Sequence, residues 1–362
     1  MKRIIILSVL SFATCVTLFG QLQYKSKYPD IPIVDVHFHP SNWRAVSVPS
    51  LYIIPPVSGP DSLPVNSFVN VMKVREVIKQ KYESNLGYFI CLNNVTDDER
   101  TAIKTATNNR VLFSIHAGIT HLATSGGLNF TAEEVIEKVR NEGFVGLKFW
   151  FGAPYRQLTE PKQAGITRID DPRFAPLFSK LEKANVLITS LHNADPNGPF
   201  DNRQNWMKDP VYYWEQIRFF ENVVAKYPNL TFIVAHGAWL VCQDAQFDYL
   251  RYMLSTYPNL YIDISATFQY MPLSNRDNIR DFYIEYQDRI LYGTDTGRIA
   301  DDAIDKQANM YVNTFMILET GQDYTNNNGT MKGLDLPREV LEKIYYKNAV
   351  KLYPGLKEAM EL

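Results

Sequence analysis

Ile33-Val34-Asp35-Val36-His37-Phe38-His39 closes a β-branched run with two histidines two positions apart. In an extended strand, side chains i and i+2 share a face, so both imidazoles can point at one ion. Four later apolar runs end in the same kind of residue: 144–149 carries Lys148, 186–191 leads into His192, 232–235 into His236, and 290–294 into Asp295. Nitrogen and carboxylate donors at the ends of distant strands predict a metal ion enclosed by a closed parallel barrel.

From Ile31 onward, apolar β-branched runs alternate with longer amphipathic stretches. Strands are expected near 31–36, 87–91, 111–115, 144–149, 186–191, 231–235, 259–264 and 289–293. Helices are expected near 66–84, 96–107, 131–142, 173–184, 211–226, 241–256, 275–287 and 301–320. Such βα units predict an α/β fold, a distorted (β/α)8 TIM barrel. Thr96 with Glu99 and Thr131 with Glu134 have the spacing of capping boxes, and Pro337 suits the first turn of a further helix near 337–350. The connections 40–65, 117–130, 150–172 and 193–210 are long and rich in Pro, Gly, Asn and aromatics, which predicts βα loops over a recessed catalytic mouth. With no repeat or interdomain linker, residues 21–362 read as one domain.

The 362 residues are 46% hydrophobic and 21% charged, the balance of a globular chain long enough for one large α/β domain. A net charge of −2 with no basic stripe argues against nucleic acid or an anionic membrane surface and toward a small-molecule partner. A homo-oligomer is compatible with this composition. Lys2 and Arg3 precede an uncharged apolar run from Ile4 to Phe19, so residues 1–20 read as a secretory signal peptide, cleaved after Gly20. The run is shorter than the ~20 apolar residues of a spanning helix. Hence a periplasmic or secreted chain is expected, with no stable membrane association after cleavage. A retained anchor and lipid attachment at Cys15 are the weaker readings, the latter because Phe12-Ala13-Thr14 is a poor lipidation context. Cys91 and Cys242 are expected as buried thiols rather than a disulfide.

Only six histidines occur, and five of them, His37, His39, His116, His192 and His236, fall at the ends of strand-like runs. Scattered structural histidines would not concentrate in this way, and Asp295 adds a carboxylate to the set. In these residues, in Asp288-Arg289-Ile290-Leu291-Tyr292-Gly293-Thr294-Asp295 and in Lys343-Ile344-Tyr345-Tyr346-Lys347-Asn348-Ala349, the chain resembles the amidohydrolase superfamily, most closely its amidohydrolase-related (amidohydrolase 2) branch. The resemblance covers nearly all of the chain beyond the leader. It implies a distorted (β/α)8 barrel with one or two divalent ions, usually zinc, and hydrolysis of amide or ester bonds, with decarboxylation or hydration in some members. It further implies His37, His39, His192 and Asp295 as metal ligands, Asp295 as a proton carrier, and His236 in contact with substrate or water. A divalent ion brings the pKa of water to about 7, and a nearby carboxylate can take that proton and pass it to a leaving group.

Lys148 leaves the ion count open. Resemblance to two-metal relatives implies a carboxylated lysine bridging a second ion; the other reading is a structural or substrate-binding ammonium. One ion is the default expectation. His116 reads equally as a mouth residue or as a support behind the ligands, and His121 receives no role. Arg44, Arg156, Arg203 and Arg298 lie on expected mouth loops and could clamp a carboxylate, though each alone also reads as a solvated surface residue. His116, Trp150, Arg44 and Arg298 are the candidate substrate contacts, and Trp43, Tyr52, Phe151, Tyr155 and Trp206 share the same loops. Asp35 shares the pleat parity of His37 and is expected to support the ligand strand. Gly293-Thr294-Asp295-Thr296-Gly297 lacks the spacing and lysine of a phosphate loop.

The leading expectation is a metal-dependent hydrolase acting on an amide, ester or lactone of a small molecule. A nonhydrolytic decarboxylase of a carboxylated aromatic or unsaturated acid, and a catalytically inactive periplasmic ligand-binding protein, are the alternatives. Fold alone cannot choose among them.

Overall fold

The β-branched and aromatic runs form eight strands: β1 (Pro32–Phe38), β2 (Asn85–Cys91), β3 (Val111–Phe113, resumed as Ile115–Ala117), β4 (Leu147–Trp150), β5 (Ile188–His192), β6 (Phe232–Val234), β7 (Leu260–Asp263) and β8 (Ile290–Leu291). A helix follows each strand: α1 (Val65–Tyr82), α2 (Asp97–Ala106), α3 (Ala132–Asn141), α4 (Ala175–Ala184), α5 (Pro210–Lys226), α6 (Asp244–Thr256), α7 (Arg276–Glu285) and α8 (Ile304–Glu319). This computed structural model describes residues 24–40, 46–48, 51–53, 65–93, 95–117, 131–151, 167–194 and 210–362. The expected leader 1–20 and the candidates Trp43, Arg44, His121, Tyr155, Arg156, Arg203 and Trp206 lie outside the described residues. No helix among the described residues is long and apolar enough to cross a membrane.

Neighbouring strands pair in parallel, in sequence order, within two sheets that divide at Ser114 in the middle of β3. Backbone bonds join the sheets on both sides. Near Ser114, Val145 N–H donates to Phe113 O (2.9 Å) and Ile115 N–H to Gly146 O (2.9 Å). At the other seam, Val36 N–H donates to Tyr292 O (3.0 Å), Asp295 N–H to His37 O (2.8 Å) and His39 N–H to Thr296 O (2.7 Å). The hydrogen bonding therefore runs round a (β/α)8 barrel whose distortions sit at those two seams.

Local signals account for many boundaries. Thr96 and Thr131 each cap a helix through a complete capping box with Glu99 and Glu134, an arrangement in which the cap alone is worth ~1 kcal/mol. Pro337 stands one position earlier than expected, at the N-cap of Arg338–Glu342, and that helix continues through a π turn, Lys343–Lys347, to Leu352. Two small hairpins were not expected: 46–48 pairs with 51–53, and Asp323–Asn326 with Gly329–Lys332. The second turns at Asn327-Asn328 and is followed by Gly329 at a positive φ of 132°. Cys91 and Cys242 are buried thiols outside any disulfide, as expected.

Two apolar clusters divide the interior. The larger packs strand residues such as Phe89, Phe149 and Phe232 with helix residues such as Phe178 and Phe220. The smaller unites Val34, Ile90, Ile233, Tyr261 and Leu291, from five strands, with Tyr353 and Leu356 of the C-terminal helices. The C-terminal segment packs against these residues at one end of the barrel; Tyr353 OH donates to Thr189 O at 3.1 Å. Polar burial falls at the opposite end, with His37, Lys148, Ser190, His236, Asp263 and Ser265 all buried.

Gly293 is where the seam is tightest. A Cβ there would stand 2.9 Å from His37 Cβ and 3.3 Å from Ser265 Cβ, so any side chain would push apart the segments following β7 and β8 and the end of β1. Gly293→Ala is expected to cost about 1–3 kcal/mol of stability and to weaken divalent-metal binding by displacing His37. Urea denaturation and calorimetric zinc titration check both effects; a variant equal to wild type in each would refute the close approach.

Candidate metal centre

β1 ends in a bulge between Asp35 and Phe38, so strict alternation fails where the histidines begin. Asp35 supports the ligand strand, as expected, and does so through backbone and hydroxyl donors. Its carboxylate accepts from Tyr311 OH of α8 (2.7 Å), Thr294 Oγ1 (2.6 Å), Thr294 N–H (3.1 Å) and His37 N–H (3.1 Å). It braces the backbone at both ends of the seam, not an imidazole ring.

Beyond the bulge, His37 Nε2 lies 3.2 Å from His39 Nε2. Asp295 Oδ1 lies 3.4 Å from the first and 3.6 Å from the second. Donors bound to one ion at the ~2.0–2.1 Å of zinc–nitrogen and zinc–oxygen bonds stand about 3.4 Å apart in a tetrahedron. This triangle thus has the size of one face of a coordination shell. His236 joins it: single donor atoms of His37, His236 and Asp295 lie within 4.8 Å of one another. His192 Nδ1 is 3.3 Å from His236 Nε2, which brings the fourth expected ligand beside the set.

The tautomers suit cation binding. His37 Nδ1 is 2.9 Å from Asp263 Oδ2, and His236 Nδ1 is 2.8 Å from Ser265 O, both acceptors. Each ring therefore carries its hydrogen on Nδ1 and turns the Nε2 lone pair toward the site. Ser265 Oγ sits 2.9 Å from both Nδ1 atoms and hydrogen-bonds Asp263. Asp263 also accepts from His236 N–H and Ser265 N–H, each at 3.1 Å. Neither Asp263 nor Ser265 was singled out in the sequence. Their one signal is Asp263-Ile264-Ser265, two polar residues two apart at the end of an apolar run.

His236 does not continue its strand. His236, Gly237, Ala238 and Trp239 hold positive φ of 57°, 56°, 54° and 58°, a left-handed turn costing non-glycine residues about 1–2 kcal/mol each. Asp295 is likewise left-handed, φ 62°. Lys148 is buried, donates to Ser190 Oγ at 2.9 Å and lies 3.5 Å from His37 Nε2. His116 pairs in register with Lys148. Trp150 meets His192 edge-on at 6.2 Å, Phe151 is buried, and Arg298 is exposed on the segment following Asp295.

Residues 34–355 match the family profile described as amidohydrolase. The chain belongs to the amidohydrolase family. Members of this branch are metal-dependent enzymes, hydrolases or decarboxylases. Among solved structures, a TIM-barrel protein from Bordetella bronchiseptica is 16% identical at a TM-score of 0.50, covering 91% of this chain and 99% of that one. A dihydroxybenzoic acid decarboxylase from Polaromonas sp. JS666, solved with manganese and the inhibitor 2-nitroresorcinol, is 15% identical at a TM-score of 0.50, with 91% and 99% covered. Identities this low bear on the barrel fold and leave the reaction open. Comparison with curated proteins gives no match.

In this amidohydrolase, enclosure sets the charge states. His37, His39 and His236 are held well below the usual imidazole range and His116 is pushed down to about 3. Burial is the largest cause in each, joined by the Lys148 charge and, for the first three, by neighbouring histidines. Burial also lowers Lys148 to about 8, against the pull of Asp295 and Asp263. Asp295 is raised to about 7 by desolvation, with Lys148 opposing and Asp263 and Asp35 reinforcing. Asp35 is raised to about 6 by burial, against its hydrogen-bond donors. Neutral imidazoles beside a carboxyl titrating near neutrality are suited to holding a cation and moving a proton.

These shifts fix the response of the metal-free protein to acid. Below the unfolded histidine value of ~6.5 the unfolded chain takes up protons that His37, His39, His116 and His236 refuse when folded, which favours unfolding. Asp35, Asp295 and buried Glu319, all raised, retain protons when folded and act in the opposite direction. The four histidines outnumber the three carboxyls, so the net effect of acid in this range is a loss of stability. The histidine contribution is complete above pH ~6.5 and falls as pH drops below it. Thermal unfolding of the metal-free protein is therefore expected at lower temperature at pH 5 than at pH 7. A midpoint that stays flat or rises would contradict neutral buried histidines.

Proposed function

We propose that this chain is a metal-dependent hydrolase that cleaves an amide, ester or lactone bond of a small molecule. One divalent ion, zinc by ligand type, would be held by His37, His39, His192 and Asp295. The His37–His39–Asp295 triangle, with edges of 3.2 to 3.6 Å, is the observation that carries this reading. When bound, the ion supplies Lewis acidity toward a carbonyl and makes water a nucleophile near neutral pH.

The chain's own residues supply the rest. As a carboxylate beside the attacking water, Asp295 can take its proton at an Oδ atom and return it to the leaving nitrogen or oxygen. His236, hydrogen-bonded through Nδ1 to Ser265, offers Nε2 as an acceptor that orients the water or a substrate N–H or O–H. Lys148, which donates to Ser190 Oγ beside the site, would serve as an ammonium there, with one ion as the reading. Trp150, His116 and Arg298 are the described candidates for substrate contact.

Replacing both His37 and His39 by Ala should leave a folded chain whose metal-to-protein ratio falls from one ion toward none; full retention of metal would reject the pair as ligands. Asp295→Asn should keep the fold and lose about 10²–10⁴ in turnover on whichever of a panel of esters, lactones and amides the zinc-loaded wild type hydrolyses. Near-normal turnover would remove Asp295 from proton transfer. Carbon dioxide released from aromatic acids, with nothing hydrolysed, would replace hydrolysis by decarboxylation, and a zinc-loaded protein inert to every compound would favour a binding protein.

A further inference from the structure

The left-handed turn after β6 does more than reverse the chain. A backbone that turns once in about three residues brings side chains i and i+3 over one another. Here that places the Trp239 indole on the His236 imidazole, ring centroids 4.4 Å apart and planes 24° apart. His236 also stacks on His37, at 5.0 Å and 27°, and we read the two partners as covering its two faces. His236 is therefore the middle plate of a three-ring stack. Its hydrogen bond through Nδ1 to Ser265 O fixes one edge of the ring, but a single edge leaves the ring free to swing about that bond. His37 blocks the swing on one side and Trp239 on the other.

The indole itself narrows the reading. Trp239 is buried, and its Nε1–H finds no hydrogen-bond partner among the described residues. A buried donor without an acceptor is unfavourable, so the residue is not held in place by that hydrogen bond. What contributes to the packing is the ring face, which Tyr270 supports edge-on at 5.6 Å and 88°. Ala238, a non-glycine residue at φ 54°, lies in the same strained turn and maintains the i to i+3 spacing.

We propose that Trp239 is a positioning residue, the outer plate that fixes the plane of His236 against the metal-ligand set, and that the left-handed turn is the backbone device that carries it there. The proposal rests on His236 serving the proposed site, but its test needs no turnover and so succeeds or fails independently of the hydrolase reading.

Proton NMR of the full chain labelled with 15N-histidine reads the stack directly, the His236 signals being assigned by their absence in His236→Asn. In the wild type, the His236 ring protons are expected upfield of their usual positions, and the Nδ1–H bonded to Ser265 should exchange slowly. Trp239→Leu removes the plate and should speed that exchange about two- to tenfold, the factor an aromatic stack contributes, while amide exchange in β2 stays as in wild type. Trp239→Phe retains a ring face and should restore slow exchange. The proposal is overturned if Trp239→Leu exchanges like wild type, if Trp239→Phe exchanges as fast as Trp239→Leu, or if the wild-type ring protons are unshifted. The last observation needs no variant and decides the matter even if Trp239→Leu fails to fold.

Discussion

The backbone seam between β1 and the segment after β8 is the constraint on which the rest depends. Three hydrogen bonds, from Val36, Asp295 and His39, tie the start of the barrel to its end. They bring His37 and His39 beside Asp295, residues that the sequence separates by most of its length. Gly293 permits the approach, and Asp35 braces it by accepting from both Thr294 and Tyr311. The metal-ligand triangle is thus a product of barrel closure, and whatever loosens closure loosens the triangle.

The barrel separates its two kinds of burial along its axis. At one end, Val34, Ile233, Tyr261 and Leu291 meet Tyr353 and Leu356 in an apolar plug, where each large side chain contributes about 1.5–3 kcal/mol. At the other end, polar groups are buried, which is unfavourable unless they are hydrogen-bonded. Asp263 offsets much of that cost, since its two oxygens accept from His37, the His236 and Ser265 backbones and the Ser265 hydroxyl. One carboxylate on β7 thereby sets the tautomer of His37 and fixes the start of the turn that carries His236.

The barrel and the identity of its donor residues were legible because both depend on local patterns. Spacing of two placed His37 and His39 together, β-branched runs marked the strands, and Thr-x-x-Glu marked two helix starts. What escaped depends on distant partners. Asp263 matters because His37 lies across the barrel, and nothing near Tyr261-Ile262-Asp263 in the sequence says so. Asp35 was legible as a support of the ligand strand, but its partners Thr294 and Tyr311 were not, because they come from the far end of the chain. His236-Gly237-Ala238-Trp239 holds one glycine, and only tertiary packing keeps its other three residues left-handed. The hairpin at 323–332 was overlooked although its Asn-rich turn was visible.

A seam between first and last strands also has a consequence for biosynthesis. His37 and His39 leave the ribosome early, whereas Asp295 and the plugging Tyr353 emerge near the end. Contacts of such sequence separation form late and slowly. A growing chain therefore presents paired imidazoles long before the carboxylate that completes the triangle exists. The full donor set, and with it tight retention of an ion, becomes available only to a chain that has been synthesised through β8 and closed. An ion held by the proposed donor set would consequently report that synthesis and closure have finished.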